Sequence, residues 1–266
     1  MMKYVNMEII IQDKKKKDIF VQLFGILKNS TSQINAILES ERLHIQGMDK
    51  SHICLFDVVL DKCWFDSYIV ENTDEKNELS FDSSIFYSIL NTKSDEQQLI
   101  IKQKDETLEI EFLNKPDTTK NEYNKTFHIP ILEYDYEELG VPEMEYDVEF
   151  SLPSKKIIDT LSQLNNFGES IHIICSENTI ELETNSDSGK MCVSIQSEDA
   201  NSYAIVENEK IDLMFSLGHL NRLCMTSKLT HEIELNLSHN SPMKINYNLG
   251  ENSHLIFHIA PKISDF

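Results

Sequence analysis

Lysines at the starts of two predicted helices are the residues whose type and spacing most clearly suggest chemistry. Lys14, Lys15, Lys16 and Lys17 are consecutive, and a Lys-Lys pair recurs at 155–156. A cation at a helix N-terminus opposes the macrodipole and costs about 0.3–1 kcal/mol at low salt, so stability alone would favour Asp or Glu there. A solvated lysine cluster is the simplest interpretation of one such site. Its recurrence favours a surface that binds a polyanion.

Residues that could form a catalytic or metal site show no recognisable spacing. The nine histidines are His44, His52, His128, His172, His219, His231, His239, His254 and His258. None belongs to an HExxH motif or a Cys/His pair at metal spacing, and the seven glycines form no phosphate-binding loop. The 45 acidic residues single out no carboxylate pair. The pattern favours neither an enzyme nor a cofactor or metal, although an acid-rich, metal-dependent hydrolase stays open.

The five cysteines are odd in number and widely spaced, and none belongs to a CxxC motif. This pattern is typical of reduced structural thiols rather than of a disulfide framework or a zinc site. Cys54, Cys175 and Cys192 lie in apolar, strand-like runs, and we expect all three in the core.

Length and composition indicate one large or two ordinary domains, since the chain has 266 residues and is 40% hydrophobic. No run approaches the roughly 20 apolar residues of a membrane span. The first eight residues carry an acid and an amide where a signal peptide needs an apolar run. The sequence therefore predicts a cytosolic or nuclear protein without a membrane partner.

The periodicity of apolar residues predicts the same order of elements in both halves of the chain. In the first half we expect helices over 14–30 and 81–93, the second capped by Asp82 or a neighbouring Ser, and strands at 2–12, 41–46, 51–60, 64–70, 97–103, 107–113 and 123–132. In the second half we expect helices over 153–167 and 216–225, and strands at 145–152, 170–176, 178–184, 190–197, 202–207, 210–215, 230–238, 243–249 and 253–260.

This internal repeat, offset by about 140 residues, predicts two similar α+β domains, each with two helices on antiparallel sheets. We place the domains at 1–132 and 145–266, joined by a connecting loop at 133–144. The loop is unusual for a spacer because Leu139 and Val141 are apolar within a mostly acidic stretch. They either pack on the body of the protein or form part of a binding surface.

The charge of the chain is unevenly distributed. The net charge is −21, yet the segments 14–30, 81–93, 153–167 and 216–228 carry ten basic and only three acidic residues. A helical projection places Lys14, Lys17, Val21 and Lys28 away from the apolar stripe of the first helix. Contacts of such a basic face would go to phosphates and read no sequence. The residues predicted to face the polyanion are Lys14, Lys17, Lys28, Lys93, Lys155, Lys156, Arg222 and Lys228.

Several stretches, in order along nearly the whole chain, resemble one family. LHIQGMDKSHICL (43–55) and EELGVPE (137–143) resemble a strand–loop–strand and the interdomain connecting loop of the eukaryotic-type sliding clamps, the proliferating cell nuclear antigen family. FDSY (65–68), LPS (152–154) and HIAPKI (258–263) are similar to further landmarks of the same family. The length and the two-domain repeat also agree.

The resemblance implies a homotrimeric ring of six domains whose helices surround duplex DNA. Such a ring is a processivity factor without catalytic activity, and it tethers DNA polymerase and other replication and repair proteins. Further partners would be a clamp loader and proteins with short interaction-peptide motifs, and the location would be the nucleus or a viral replication site. A heterotrimeric checkpoint clamp or a non-ring viral factor remains the alternative.

The resemblance also implies two kinds of protein-binding site. The partner-peptide pocket would comprise Met48, His52, Ile53, Leu139, Val141, Pro142, Pro242, Ala260, Pro261 and Ile263. The subunit interface would pair an edge strand near 123–129 with one near 190–196 by β-augmentation, through Phe127, Ile129, Cys192 and Ile195.

Overall fold

The computed structural model describes residues 7–71, 77–104, 106–115, 122–133, 139–141, 144–187, 189–224, 226–239 and 241–262. These residues form two compact units. The first comprises the described residues within Met1–Lys50, Asp57–Leu139 and Leu249–Leu255, and the second comprises those within Ser51–Phe56, Gly140–Asn248 and Ile256–Phe266. Among the described residues, no helix is long and apolar enough to cross a membrane.

The first half of the chain contains two helices and nine strands among its described residues. They are β1 (Met7–Ile11), α1 (Lys14–Ser30), β2 (Gln33–Leu38), β3 (Arg42–Met48), β4 (Cys54–Asp61), β5 (Ser67–Val70), β6 (Asn77–Asp82), α2 (Ser83–Leu90), β7 (Gln97–Lys104), β8 (Thr107–Asn114) and β9 (Lys125–Pro130).

The second half repeats this order. Its elements are β10 (Val148–Pro153), α3 (Ser154–Leu164), β11 (Ser170–Cys175), β12 (Thr179–Ser186), β13 (Gly189–Gln196), β14 (Ser202–Ile205), β15 (Ile211–Ser216), α4 (Leu217–Leu223), β16 (Glu232–Leu237), β17 (Met243–Gly250) and β18 (Ser253–Ile259). The predicted internal repeat of α+β architecture is therefore confirmed.

Strand pairing follows the same antiparallel plan in the two units. In the first unit a five-stranded sheet has the order β5-β1-β7-β8-β9, and β2 pairs with β3 and β6. In the second unit β10 lies between β14 and β16, and β17 follows β16. A four-stranded sheet there has the order β13-β12-β11-β15.

Two strands, β2 and β6, are absent from the sequence prediction. Residues 81–82 were expected to open the second helix, but Phe81 pairs with Ile34 as a buried strand residue. The helix begins at Ser83, and Asp82 caps it by accepting a hydrogen bond from the Ile85 amide at 2.8 Å, which confirms Asp82 as one of the predicted caps. All helices except α1 are shorter than predicted.

The cores combine a helix pair with the inner faces of the sheets. In the first unit, Phe20 and Phe24 of α1 pack near Phe81 and Phe86, and the Phe24 and Phe86 ring centroids are 4.7 Å apart. In the second unit a narrower stripe on α3, formed by Ile157, Leu161 and Leu164, is buried. The two helices of each unit are thus positioned by apolar stripes that the sequence shows clearly.

A tyrosine at corresponding places in the repeat closes one strand hairpin in each unit. The Tyr68 hydroxyl of β5 lies 2.9 and 2.8 Å from the backbone oxygens of Glu39 and Arg42, which share its single proton. Tyr203 of β14 donates to the backbone oxygen of Ser176 in the corresponding turn. The repeat therefore extends from element order to individual side chains.

Candidate functional site

The N-terminus of α1 places four lysines around one helical turn. Asp13 caps the helix, and its carboxylate accepts a hydrogen bond from the Lys16 amide at 2.8 Å. Lys14 is exposed, but its ammonium lies 2.6 Å from the Asp95 carboxylate. This ammonium is therefore already paired within the chain.

The prediction that Lys17 and Val21 face away from the buried stripe is wrong. Lys17 is 0% exposed and Val21 is 3% exposed. The Lys17 ammonium donates to the backbone oxygens of Ser94 at 3.0 Å and Asp95 at 3.1 Å, and also to that of Gln97. These three bonds use all three protons of the ammonium, so Lys17 has no donor left for DNA.

The helical projection failed because the buried stripe of α1 is wider than its apolar residues indicate. Burial lowers the pKa of Lys17 to about 8, and the neighbouring ammonium groups of Lys115 and Lys93 contribute. The aliphatic stem of a lysine can cover apolar surface while its ammonium binds backbone oxygens. Lys17 is thus a core residue.

Two further lysines of α1 have partners in the first unit. The Lys16 ammonium lies 3.0 Å from the Glu251 carboxylate and 5.8 Å from the centre of the Trp64 ring. The Lys28 ammonium lies 3.9 Å from the ring centre of Tyr87, close enough for a cation–π contact. Of the α1 lysines, only Lys15, which is absent from the predicted set, is exposed and without an ion pair to any residue that the structure describes.

Lys93, predicted as a helix residue, lies beyond the C-terminus of α2. Its ammonium contacts the Asp18 carboxylate of α1 and lies 3.7 Å from that of Asp95. Lys93 is therefore neutralised by two acids and is only partly exposed.

The basic residues of the second unit differ. Lys155 and Lys156 on α3 and Arg222 on α4 are exposed, and so is Lys228, which lies in a turn after α4. Within the stretches that the structure describes, none of them forms an ion pair. Pro153 precedes α3 and supplies no side-chain cap. The exposed ammonium groups of Lys155 and Lys156 are available to a ligand.

The two predicted interface strands lie at sheet edges. β9 ends the five-stranded sheet of the first unit, and β13 ends the four-stranded sheet of the second. Phe127 is half-buried and Ile129 is 5% exposed, and both lie on one face of β9. Because alternate residues share a face, Ile195 and Cys192 lie on opposite faces of β13.

The expectation that Cys192 belongs to the core is wrong, whereas Cys54 and Cys175 are buried as predicted. All five cysteines are free thiols. An edge strand has one partner strand and little cover, so an apolar run there does not guarantee burial.

A helix and a shallow groove flank each open edge. Beside β9, a groove of about 370 Å³ is lined by Ile85, Ile89 and Phe127, and Ile85 is 50% exposed. Beside β13, a groove of about 460 Å³ is lined by residues including Lys156 and Val193. Sequence reasoning missed Val193, although its alternation with Ile195 was a usable signal.

The predicted pocket residues fall in different parts of the chain. In the first unit, Met48 ends β3, and the Leu139 amide donates to the Gln46 side-chain oxygen at 2.9 Å. This bond holds Leu139 of the connector beside β3.

In the second unit, the Ala260 amide donates to the backbone oxygen of Ile53 at 3.1 Å, and Ile53 is 39% exposed. The preceding His52 has a positive φ of 56°. The half-buried residues of the whole pocket set are Met48, Leu139, Val141, Pro242 and Pro261. Pro142 and Ile263 lie outside the described residues.

No group of three or more His, Cys, Asp or Glu side chains in the described stretches is placed to hold a metal ion. The arrangement consists instead of basic helix faces, open sheet edges and exposed apolar positions. These are features of polyanion and protein binding.

Comparison with known proteins agrees with this arrangement. Residues 11–138 match the model of the proliferating cell nuclear antigen N-terminal domain, and residues 140–262 match that of its C-terminal domain. The proliferating cell nuclear antigen of Chaetomium thermophilum is 26% identical over 258 residues, covering 94% of this chain and 97% of the relative. The chain belongs to the proliferating cell nuclear antigen family and is a DNA sliding clamp, a processivity factor of DNA polymerase.

Proposed function

We propose that three copies of this chain close into a ring, with β9 of one copy paired to β13 of the next. The observation that supports this is that β9 ends a sheet of the first unit and β13 ends a sheet of the second. Such a head-to-tail contact is heterologous and produces a closed ring when its rotation closes. An exposed strand edge without a specific partner can pair with other chains and cause aggregation.

The internal repeat supports this choice of strands. By position in the repeat, β18 corresponds to β9 and β4 corresponds to β13. Bonds link the segments around β4 and β18 within each unit: Asp61 N donates to Ser253 Oγ at 2.9 Å, and Ala260 N donates to Ile53 O at 3.1 Å. The contact between copies would repeat one that the chain already makes.

Duplex DNA would pass through the ring against the helices. Sequence-independent affinity for DNA comes from lysine and arginine contacts to phosphates. The available cations are Lys15, Lys155, Lys156, Arg222 and Lys228, with Lys14, Lys28 and Lys93 held by other groups of the chain. Lys17 is excluded from the set. The rest of the chain is strongly acidic and would repel DNA from the outside of the ring.

The connector and its surroundings would form the docking site for partner peptides. The partners would be DNA polymerase, a clamp loader and other replication and repair proteins. The protein would act without catalysis, in the nucleus or at a viral replication site. The two domains of this clamp would comprise residues 1–132 and 145–266.

Light scattering during size exclusion tests the ring. We expect a particle of about three times 30.8 kDa. Val193→Asp places a carboxylate in the β13 groove and should leave monomers. Val206→Asp is the matched control, since Val206 is 50% exposed, lies beyond β14 and belongs to neither proposed edge strand. A wild-type monomer at high concentration would reject the homotrimer in favour of a heterotrimeric or non-ring clamp.

A further inference from the structure

The turn between α2 and β7, Ser94–Gln97, contacts the N-terminal half of α1. It carries two acids, Asp95 and Glu96, both at least partly exposed. The backbone of this acidic turn is held by Lys17, whose ammonium binds the oxygens of Ser94, Asp95 and Gln97. The position of the turn relative to α1 is therefore set by a buried contact.

That position brings the Asp95 carboxylate to two other lysines. It lies 2.6 Å from the Lys14 ammonium and 3.7 Å from that of Lys93. The Lys14 ammonium, through a hydrogen bond and its charge, keeps the pKa of Asp95 below its usual value, so the carboxylate stays ionised near neutral pH. Asp95 thus contacts two cations that the sequence assigns to DNA, and Asp18 also holds Lys93.

We propose that the acidic turn is an intrachain competitor of DNA, in which the Asp95 carboxylate takes the place of a phosphate at Lys14 and Lys93. This inference rests on the proposed DNA-encircling function and assigns Asp95 a role in setting its strength. The contact weakens the binding of DNA to α1. The cations of α3 and α4 then make most of the phosphate contacts. Weaker binding to DNA favours movement of the ring along the duplex.

The ion pair between Lys14 and Asp95 is exposed enough for a phosphate to displace it. The side chains of Lys14 and Asp95 are 63% and 47% exposed. Exposed ion pairs stabilise proteins only slightly and are screened by salt, so a phosphate can compete for the same ammonium. Removal of the carboxylate should raise the affinity for duplex DNA about 1.5- to 5-fold, the range that corresponds to one exposed ion pair.

The experiment measures binding of a short, open-ended duplex by full-length protein at several salt concentrations, with fluorescence anisotropy. Asp95→Asn removes the charge and keeps the backbone oxygen that Lys17 binds. We expect tighter binding and a steeper fall of log K with log salt, by up to about 0.9 for each additional phosphate that the protein neutralises. Asp95→Ser serves as a second variant, and thermal unfolding checks that each protein is folded.

Two controls separate release of lysine from a general change in charge. Glu177→Gln makes the same change in an exposed turn of the second unit, where the described residues offer Glu177 no ion pair, and should leave the salt slope unchanged. Adding Lys14→Ala to Asp95→Asn should remove most of the increase in affinity. If the increase persists without Lys14, or if Glu177→Gln produces it too, the inference is overturned.

The inference and the proposed function fail in different ways. Lys155→Ala with Arg222→Ala should weaken binding if DNA contacts the helices. If that variant loses affinity while Asp95→Asn and Asp95→Ser bind no more tightly than wild type, the acidic turn is not a competitor but the clamp assignment of the helices stands. If neither change affects binding, the DNA-facing assignment itself is wrong.

Discussion

The first turns of α1 and α3 occupy corresponding places in the two units, about 140 residues apart, and they use lysine in opposite ways. Lys17 of α1 corresponds to Ile157 of α3, and both side chains are buried. Lys15 and Lys155, also counterparts, are both exposed. The adjoining lysines Lys14 and Lys16 of α1 form ion pairs, whereas Lys155 and Lys156 have no ion pair among the described residues.

The difference shows that the place of a lysine in a repeat does not decide its function. Ile157 lies among apolar groups that include Phe150 and Leu220, so an uncharged side chain suits that place. Lys17 lies below a turn whose three backbone oxygens face its ammonium. A buried cation is tolerated where such acceptors replace water.

The largest expected effect comes from a lysine at position 157, the counterpart of Lys17 in the second unit. Ile157→Lys would place an ammonium among apolar groups without that turn, and we expect the free energy of unfolding to fall by about 4 kcal/mol or more. Denaturant unfolding measures this. Gln163→Lys, at an exposed position of the same helix, is the control and should change stability by less than about 0.5 kcal/mol. Equal effects of the two variants would contradict the burial argument.

Removal of the Lys17 side chain should lower the free energy of unfolding somewhat less. Lys17→Ala deletes three hydrogen bonds from a charged donor and leaves buried space, and we expect a loss of about 2–4 kcal/mol. Lys15→Ala, two residues away and exposed, should change stability by less than about 0.5 kcal/mol. If Lys17→Ala is neutral, Lys17 does not hold the acidic turn.

The Lys17 pKa of about 8, against an ordinary value of 10.5, gives stability a pH dependence. Between these values the folded chain binds fewer protons than the unfolded chain, so the contribution of Lys17 to stability rises with pH. We expect the stability difference between wild type and Lys17→Ala to grow by about 1–2 kcal/mol from about pH 7.5 to about pH 9.5. A difference that stays unchanged over this range would mean that the backbone oxygens keep the ammonium charged in the folded chain.

The smallest effects concern DNA. Lys155→Ala should weaken binding of a short duplex about two- to fivefold and make the salt slope shallower, because an unpaired cation is lost. Lys14→Ala in the wild-type background should change binding by less than about 1.5-fold, since Asp95 already occupies that ammonium. Anisotropy titrations at two salt concentrations distinguish the two. A larger effect of Lys14 than of Lys155 would reverse the comparison.

Much of the architecture is readable from the chain because it is encoded locally. Apolar residues at helical spacing in 157–164 and the cap at Asp82 depend on neighbours a few residues away. The order of strands and helices repeats for the same reason. β2 and β6 were missed because these six-residue strands lie directly beside helices, where periodicity is ambiguous.

The candidate sites were predicted less completely. The edge strands were predicted near β9 and β13, but which face each side chain uses was not, so Cys192 was placed in the core and Val193 was overlooked. The pocket residues stay a prediction. Position relative to a sheet edge depends on which strands remain unpaired, and a single strand's sequence does not carry that information.

The sequence by itself determined the repeat, the α+β class and the concentration of positive charge in the helices, since each follows from composition or spacing along a short stretch. Only the tertiary structure decided which of those charges are free. The oxygens that bind Lys17 lie 77 to 80 residues further along the chain. The carboxylate that pairs with Lys16 lies 235 residues away. Contacts over such separations arise from folding, because no local pattern links a lysine to its distant acceptor.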